Sequence, residues 1–202
     1  MFRGIRSFLD LGFENVYVEL GFDHILDPQG YDHILFVVAL AAIYVIKEWK
    51  QVLILVTAFT IGHSVTLALA SLNIVKINTA LVEILIPITI ILTCIFNMIP
   101  KSSHHISLKW NYILALGFGL IHGLGFSTYF KAILGKEESI VYPLFAFNVG
   151  VELGQVVIVS LVMYASWIFV NLIQMKRRYW NYSISFMILL WSVWLLFKLL
   201  NN

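Results

Sequence analysis

Residues 80–99 read ALVEILIPITIILTCIFNMI, twenty consecutive positions with one charged side chain, Glu83. An apolar run of about 20 residues is long enough to cross the hydrocarbon core of a bilayer as a helix. Similar apolar stretches occur at 32–46, 51–72, 111–134, 141–173 and 181–200. Because the connections between them are short, the sequence predicts an all-α, polytopic membrane protein with a bundle of about six transmembrane helices.

The composition agrees with this class. Of 202 residues, 60% are hydrophobic and 12% are charged, whereas an ordinary soluble domain is about 25% charged. The net charge of +2 comes from cations spread over the loops, so no nucleic-acid partner is expected. Cys94 is the single cysteine, and neither a disulfide framework nor a thiolate metal cluster is predicted. The lipid bilayer is the expected environment, and a homo-oligomer stays open.

The first 31 residues have a different pattern. Phe2, Ile5, Leu9 and Phe13 recur at three- and four-residue spacing, which is typical of a helix with one apolar face. Residues 1–31 are therefore predicted to form an amphipathic segment in the membrane interface. A plain helix packed against the bundle is the alternative. Residues 32–202 are predicted to form the six-helix transmembrane domain.

Lysine and arginine are distributed unevenly over the short loops. The first, third and fifth loops hold Lys47, Lys50, Lys101, Lys109, Lys176, Arg177 and Arg178, and the second and fourth loops hold fewer. Cytoplasmic loops of membrane proteins are enriched in these cations. We therefore expect a multi-pass protein of the cell (inner) membrane with both termini outside the cytoplasm.

Several ionisable side chains lie inside the predicted spans: Asp32, His33, His63, Glu83, His122 and Glu152. A charged group in hydrocarbon costs on the order of 3 kcal/mol, so such residues indicate a functional site. At about 1.5 Å of rise per residue, the alternating helices place all of them between the midplane and the N-terminal-side surface. Imidazoles and carboxylates at one depth favour a metal site or a proton relay. A bridge between two helices is the structural alternative for each single histidine.

The predicted metal ligands are His24, which precedes the first span, Asp32, His33, His63, His122 and Glu152. Around them, or along the path to them, we expect Glu83, Asn148, Gln155, Thr60 and Ser64. Adjacent residues of a helix point about 100° apart, so one member of the pair Asp32 and His33 is expected to face the site. Capping of the first helix is the alternative role for Asp32.

Six short strings occur in order between residues 21 and 155. They are GFDHIL at 21–26, GYDHILF at 30–36, FTIGHSVTL at 59–67, LVE at 81–83, GLIHGLGF at 119–126 and FNVGVELGQ at 147–155. Together they resemble the HupE/UreJ family of integral membrane proteins, which is associated with hydrogenase and urease gene clusters. The resemblance implies a secondary permease for nickel, sometimes cobalt.

The predicted site serves more than one mechanism. Imidazole and carboxylate ligands without cysteine suit a divalent transition metal, with Ni, Co or Zn the leading ions. We favour a permease over an enzyme, although few ligands are visible in the opposite half of the membrane. A membrane-embedded, zinc-type hydrolase is the alternative, because a metal held with one open position activates water. Glu83 or Glu152 would then be the general base. A metal sensor or chaperone-like partner is a third option.

Overall fold

The computed structural model describes residues 16–28, 30–75, 78–99, 104–135 and 139–201, with the side chains of 104–109 outside this description. The described helices are α1 (Val16–Leu26), α2 (Tyr31–Ala41), α3 (Trp49–Ser71), α4 (Thr79–Met98), α5 (His104–Leu134), α6 (Val141–Trp167) and α7 (Arg177–Leu200). A 3₁₀ turn, Ile46–Glu48, leads into α3, and a π-helical turn, Ile168–Leu172, extends α6. The predicted all-α, polytopic bundle is confirmed.

Five of the described helices, α3 to α7, are long and apolar enough to cross a membrane. They coincide with the five predicted stretches from 51–72 onward. The first predicted stretch, 32–46, differs from the others because α2 contains only 11 residues. A helix of that length is about 16 Å long, roughly half the hydrocarbon thickness. This stretch therefore needs a second segment to complete a crossing.

Helix α1 packs beside α6. It runs in the same direction as α6, with Val18 and Phe22 against Gly150, and Ile25 against Gly154. Further along α6, Ser166 lies 3.5 Å from the carbonyl oxygen of Tyr44, just beyond α2. Because α1 and α2 follow α6 in succession, they lie end to end along it, and we call the pair the interrupted helix.

The interruption spans residues 27–30 and contains a proline and a glycine. Pro28 lacks a backbone N–H and restricts the residue before it to extended conformations, which ends a helix. The N–H of Gly30 donates to the carbonyl of Asp27 at 3.1 Å, closing a turn before α2 begins. Gly30 occupies the N-cap position of α2, so Asp32 lies within the first turn and does not cap it.

Two helix pairs pack backbone against backbone at glycines. A Cβ on Gly119 of α5 would collide with the carbonyl of Phe59 in α3, and one on Gly62 with the carbonyl of Leu116. In the other pair, a Cβ on Gly21 of α1 would collide with the carbonyl of Phe147 in α6. Small residues let membrane helices approach this closely. The neighbours of these glycines, including His63, are therefore carried into the centre of the bundle.

Residues 1–15 of the predicted interfacial segment lie outside the described residues. The described part contains α1, whose Gly21 and Ile25 are buried. The division into a 1–31 segment and a 32–202 domain stays a prediction.

Candidate metal centre

Four imidazoles from four helices converge at the interrupted helix. His24 is near the end of α1, His33 in the first turn of α2, His63 in α3 and His122 in α5. The ring centroids of His24 and His33 are 4.5 Å apart, and those of His33 and His122 are 5.0 Å apart. His63 lies 5.9 Å from His24 and 6.2 Å from His33 by the same measure. The sequence-predicted convergence of these residues is present in the fold.

These side chains form two overlapping groups with the spacing of metal ligands. In one group, a ring nitrogen from each of His24, His33 and His63 lies within 4.8 Å of the others. In the second, a carboxylate oxygen of Asp32 and ring nitrogens of His33 and His122 meet the same limit. His33 belongs to both groups. We call these five residues (His24, Asp32, His33, His63 and His122) the imidazole cluster.

Asp32 and His33 both reach the cluster, so the expectation that only one of them faces the site is wrong. Oδ1 of Asp32 lies 3.2 Å from Nδ1 of His33. Asp32 is in the first turn of α2. No earlier turn of the helix therefore blocks its carboxylate from the neighbouring imidazole. The two adjacent side chains can therefore serve one site despite their angular separation on the helix.

The cluster contains buried imidazole nitrogens with no hydrogen-bond partner among the described residues. They are Nε2 of His24, Nε2 of His33 and Nδ1 of His122. The ring nitrogens of His63 are buried as well, with the Asn148 side chain beside them. A buried polar atom left unpaired costs about 1–3 kcal/mol, and native structures hold few such atoms. Coordination of a cation by the free lone pairs would satisfy several of them together. The donor set, nitrogen and carboxylate oxygen without sulfur, fits a divalent transition metal.

Aromatic side chains enclose the cluster. The Phe126 ring centroid is 3.8 Å from that of His24, and Phe36 lies 5.3 Å from His122. Phe147 stacks on His63 at 6.2 Å. An apolar shell of this kind restricts water access and lowers the local dielectric. It also holds the imidazole rings in place before a ligand arrives.

A cavity of about 860 Å³ leads to the cluster. Its wall includes His24, Asp32, His33 and His122, together with Glu83. Two further carboxylates, Asp23 and Asp27, also line it and are exposed, as is Glu83. No lysine or arginine is among the described residues that line this space. An acidic cavity of this kind concentrates cations at its mouth.

Glu152 stands apart from both ligand groups. Its Oε1 accepts a hydrogen bond from the Thr57 hydroxyl at 2.5 Å. One turn away, the Gln155 side-chain oxygen accepts from Thr60 at 2.8 Å. Both residues have the predicted depth, but their described contacts join α6 to α3. The role of Glu152 as a ligand stays a prediction.

Two other residues expected near the site bond to their own helices. Asn148 donates to the Leu144 carbonyl at 2.7 Å, and Ser64 donates to the Thr60 carbonyl at 2.6 Å. The Asn148 side chain also interacts with the His63 imidazole, so Asn148 lies beside the cluster.

Sequence reasoning did not identify Thr89, whose hydroxyl oxygen lies 3.4 Å from Nε2 of His122. It also left out Asp23 and Asp27 on the cavity wall. A signal for Asp23 exists, because the pair Asp23-His24 repeats as Asp32-His33 on the other side of the helix interruption. Thr89 carries no such signal, since threonine is common in apolar helices.

The fold and the site together define a class: multi-pass helical membrane proteins with a buried imidazole and carboxylate cluster reached through an acidic cavity. The chain matches the family model described as HupE / UreJ protein over residues 11–198, and it belongs to that family. No curated protein and no solved structure matches it. Membership confirms the resemblance seen in the sequence and links this membrane protein to nickel and cobalt transport in the broad sense.

Proposed function

We propose that the protein is a permease for a divalent transition cation of the nickel and cobalt type, which is the cargo of the imidazole cluster. The interrupted helix is the observation that carries this proposal. His24 and His33 lie on either side of the interruption, at the end of α1 and the start of α2. Many secondary transporters bind their substrate near the midplane with discontinuous helices of this kind.

The chemistry of the cluster supports a partly dehydrated cation. Imidazole binds nickel, cobalt and zinc well, and a carboxylate lowers the net charge of the complex. Asp32 supplies that carboxylate within 4.8 Å of two imidazoles. The ion would exchange water for nitrogen and oxygen ligands as it moves from the acidic cavity into the aromatic shell.

The acidic cavity gives the cation its entry side. With both termini outside the cytoplasm, as the loop charges predict, the cavity opens to the outside and the cation moves inward. A change in the relative position of α1 and α2 at residues 27–30 would then expose the cluster to the opposite face. The glycine contact of α1 with α6 would keep α1 packed on the bundle while α2 moves.

Uptake into vesicles tests the proposal. Purified protein is reconstituted into liposomes that hold a metal-responsive dye, and Ni²⁺, Co²⁺ or Zn²⁺ is added outside. We expect uptake that exceeds the rate of empty liposomes and is lost in His33→Ala. Matched vesicles with Ser192→Ala, a buried hydroxyl on α7, should retain it. The permease proposal is wrong if the wild-type protein binds the metal in detergent but its vesicles take up metal no faster than empty liposomes.

A membrane-embedded hydrolase is the second candidate, and the position of Glu83 favours it. Glu83 lines the same cavity as the ligand groups, whereas Glu152 bonds to Thr57. A metal held by the cluster with one open position would supply an activated water. Glu83 would accept the proton of that water, and the cavity would admit the substrate from one face.

The two candidates differ in what Glu83 does. In a permease, Glu83→Gln removes one attracting charge from the mouth, so uptake slows modestly and the deficit shrinks at high salt. In a hydrolase, loss of a general base slows turnover by about 10²–10⁴-fold at any salt concentration. Tight retention of one metal through purification, with no flux in vesicles, would favour the hydrolase.

A further inference from the structure

The half of the bundle beyond the imidazole cluster contains a polar stripe on α4. Thr89, Thr93 and Asn97 are spaced i, i+4 and i+8, which places them on one face of the helix. All three are buried, with exposed fractions of 3%, 5% and 8%. They lie in an otherwise apolar run, so the stripe is a structured polar feature inside the membrane span.

The stripe begins at the imidazole cluster. The Thr89 hydroxyl oxygen is 3.4 Å from Nε2 of His122. One turn further, the Thr93 hydroxyl donates to the Thr89 carbonyl at 2.9 Å. At the far end, the Asn97 amide donates to the carbonyl of Ala39 in α2 at 2.7 Å. The three residues thus connect the cluster to the C-terminal end of α2.

A small internal cavity of about 10 Å³ lies along the same route. Thr93, Asn97 and Asn111 line it together with Leu40 and Phe118. This is close to the smallest space that holds one water molecule. At its far side, Asn111 donates to the Tyr44 hydroxyl at 3.1 Å. Side-chain oxygen atoms thus follow one another from Thr89 beside the cluster to Tyr44 just beyond α2.

Local hydrogen bonds account for part of this pattern but not for all of it. Threonine in a membrane helix commonly donates to a carbonyl of the preceding turn, as Thr89 and Thr93 do. A hydroxyl that donates once still has lone pairs to offer. Backbone bonding does not explain why the stripe starts at His122 and borders a cavity. A cation that leaves the cluster needs weaker oxygen ligands at successive positions along its path.

We propose that Thr89, Thr93, Asn97 and Asn111 form the exit route of the cation between α2, α4 and α5, an inference that rests on the proposed permease function. Leu40 and Phe118 close this route in the present structure, where both are buried. Oxygen ligands hold these metals less tightly than imidazole does. Several weak sites in series allow an ion to leave, whereas a second strong site would retain it.

The test separates binding from movement. Thr93→Val keeps the shape of the side chain and removes its hydroxyl. We expect equilibrium binding of Ni²⁺ in detergent to stay within about twofold, because the ligand groups are intact. Uptake of Ni²⁺ into dye-loaded liposomes should fall about tenfold, as expected when one hydrogen-bond-sized interaction is lost from the barrier. Asn111→Leu, at the far end of the route, should likewise lower uptake and leave equilibrium binding of Ni²⁺ intact.

Ser192→Ala is the matched control. Ser192 is a buried hydroxyl on α7 that lines neither the cavity at the cluster nor the route. Its uptake and binding should equal those of the wild-type protein. Thr93→Ser retains the hydroxyl and should retain uptake, which separates loss of the oxygen from a packing defect.

The outcomes are distinct. If the wild-type protein transports no Ni²⁺, the permease proposal is wrong, and so is the exit route that rests on it. If the wild-type protein transports while Thr93→Val and Asn111→Leu transport equally well, the route is wrong and the permease stands. If Thr93→Val and Thr93→Ser lose uptake and binding together, the effect is structural, and this also overturns the role of the hydroxyl.

Discussion

The two halves of the bundle along the membrane axis differ in both chemistry and space. The N-terminal-side half holds the imidazole cluster beside a cavity of about 860 Å³. The opposite half offers hydroxyl and amide groups around a cavity of about 10 Å³. The imidazoles therefore lie beside the larger cavity, and the hydroxyl and amide groups lie where the helices are closed. In the proposed permease, the binding site and the barrier are therefore separate parts of the molecule.

The opposite half is also tied together at its outer end. Arg177 of α7 donates to Glu48 at 2.6 Å and, through Nε, to the Ile43 carbonyl at 3.1 Å. These contacts hold the connection between α2 and α3 against α7. The described residues that line the cavity of the N-terminal-side half include carboxylates and histidines but no lysine or arginine.

The largest expected effect comes from breaking the cluster at the residue that both ligand groups share. His33→Ala removes a ligand from each group, whereas His24→Ala and His122→Ala each leave one group whole. Loss of a supporting residue alone costs 10–100-fold in metal affinity, so loss of this ligand should cost about 100-fold or more. Titration of Ni²⁺ against a competing chelator measures it. Equal affinities for the three variants would contradict the shared role of His33.

A glycine pair on α5 tests how the N-terminal-side half is held. Gly119→Ala places a methyl group against the Phe59 carbonyl, while a Cβ at Gly117 meets nothing within 4 Å. Overpacking costs about 1–3 kcal/mol, so we expect Gly119→Ala to lower the melting temperature in detergent. Gly117→Ala should leave it equal or raise it slightly, since alanine favours helix. Identical melting curves would show that the close approach of α3 and α5 is not needed.

Substitution of two carboxylates tests which of them belongs to the cluster. Asp32→Asn removes a charged ligand from one group and should weaken Ni²⁺ binding about tenfold. Glu152→Gln should change the affinity less than about threefold, because a glutamine oxygen still accepts from Thr57. Isothermal titration compares the pair. A larger loss for Glu152→Gln than for Asp32→Asn would restore Glu152 as a ligand.

The smallest effect is expected at the clamp of the opposite half. The Arg177 side chain is 40% exposed and that of Glu48 is 19% exposed, so their pair contributes less than about 1 kcal/mol. Arg177→Gln should lower the melting temperature by about 2–4 °C or less at low salt, with a smaller deficit at high salt. Arg178→Gln is the control, since Arg178 lies over the Tyr182 ring. An equal decrease in melting temperature for both variants would exclude a specific role for the Arg177–Glu48 pair.

The depth of the site could be predicted from the sequence because depth follows from counting residues along a helix. His63 and His122 lie near the middle of long apolar runs, and both are in the cluster. Rotation about the helix axis could not be predicted in the same way. Glu152 has the right depth, yet its carboxylate bonds to Thr57. Thr89, which carried no sequence signal, contacts His122.

The interrupted helix shows the same limit. Pro28 and Gly30 are visible in the sequence as helix breakers, and the apolar stretch at 32–46 is visibly short. That α1 lies end to end with α2 follows only from its packing on α6, where Gly21 and Gly150 admit the opposing backbone. Local propensity ends a helix, but a long-range contact decides where the next segment lies.

By itself, the sequence determined the membrane class, the five long spans and the ionisable residues that share one depth. These are one-dimensional properties, set by the cost of leaving apolar or charged groups in the wrong solvent. Only the tertiary structure decided which side chains meet, because glycine contacts between helices set the rotation and distance of each helix. The packing of α1, α2, α3 and α5 places His24, His33, His63 and His122 in one cluster, and the packing of α4 on α5 puts Thr89 against His122.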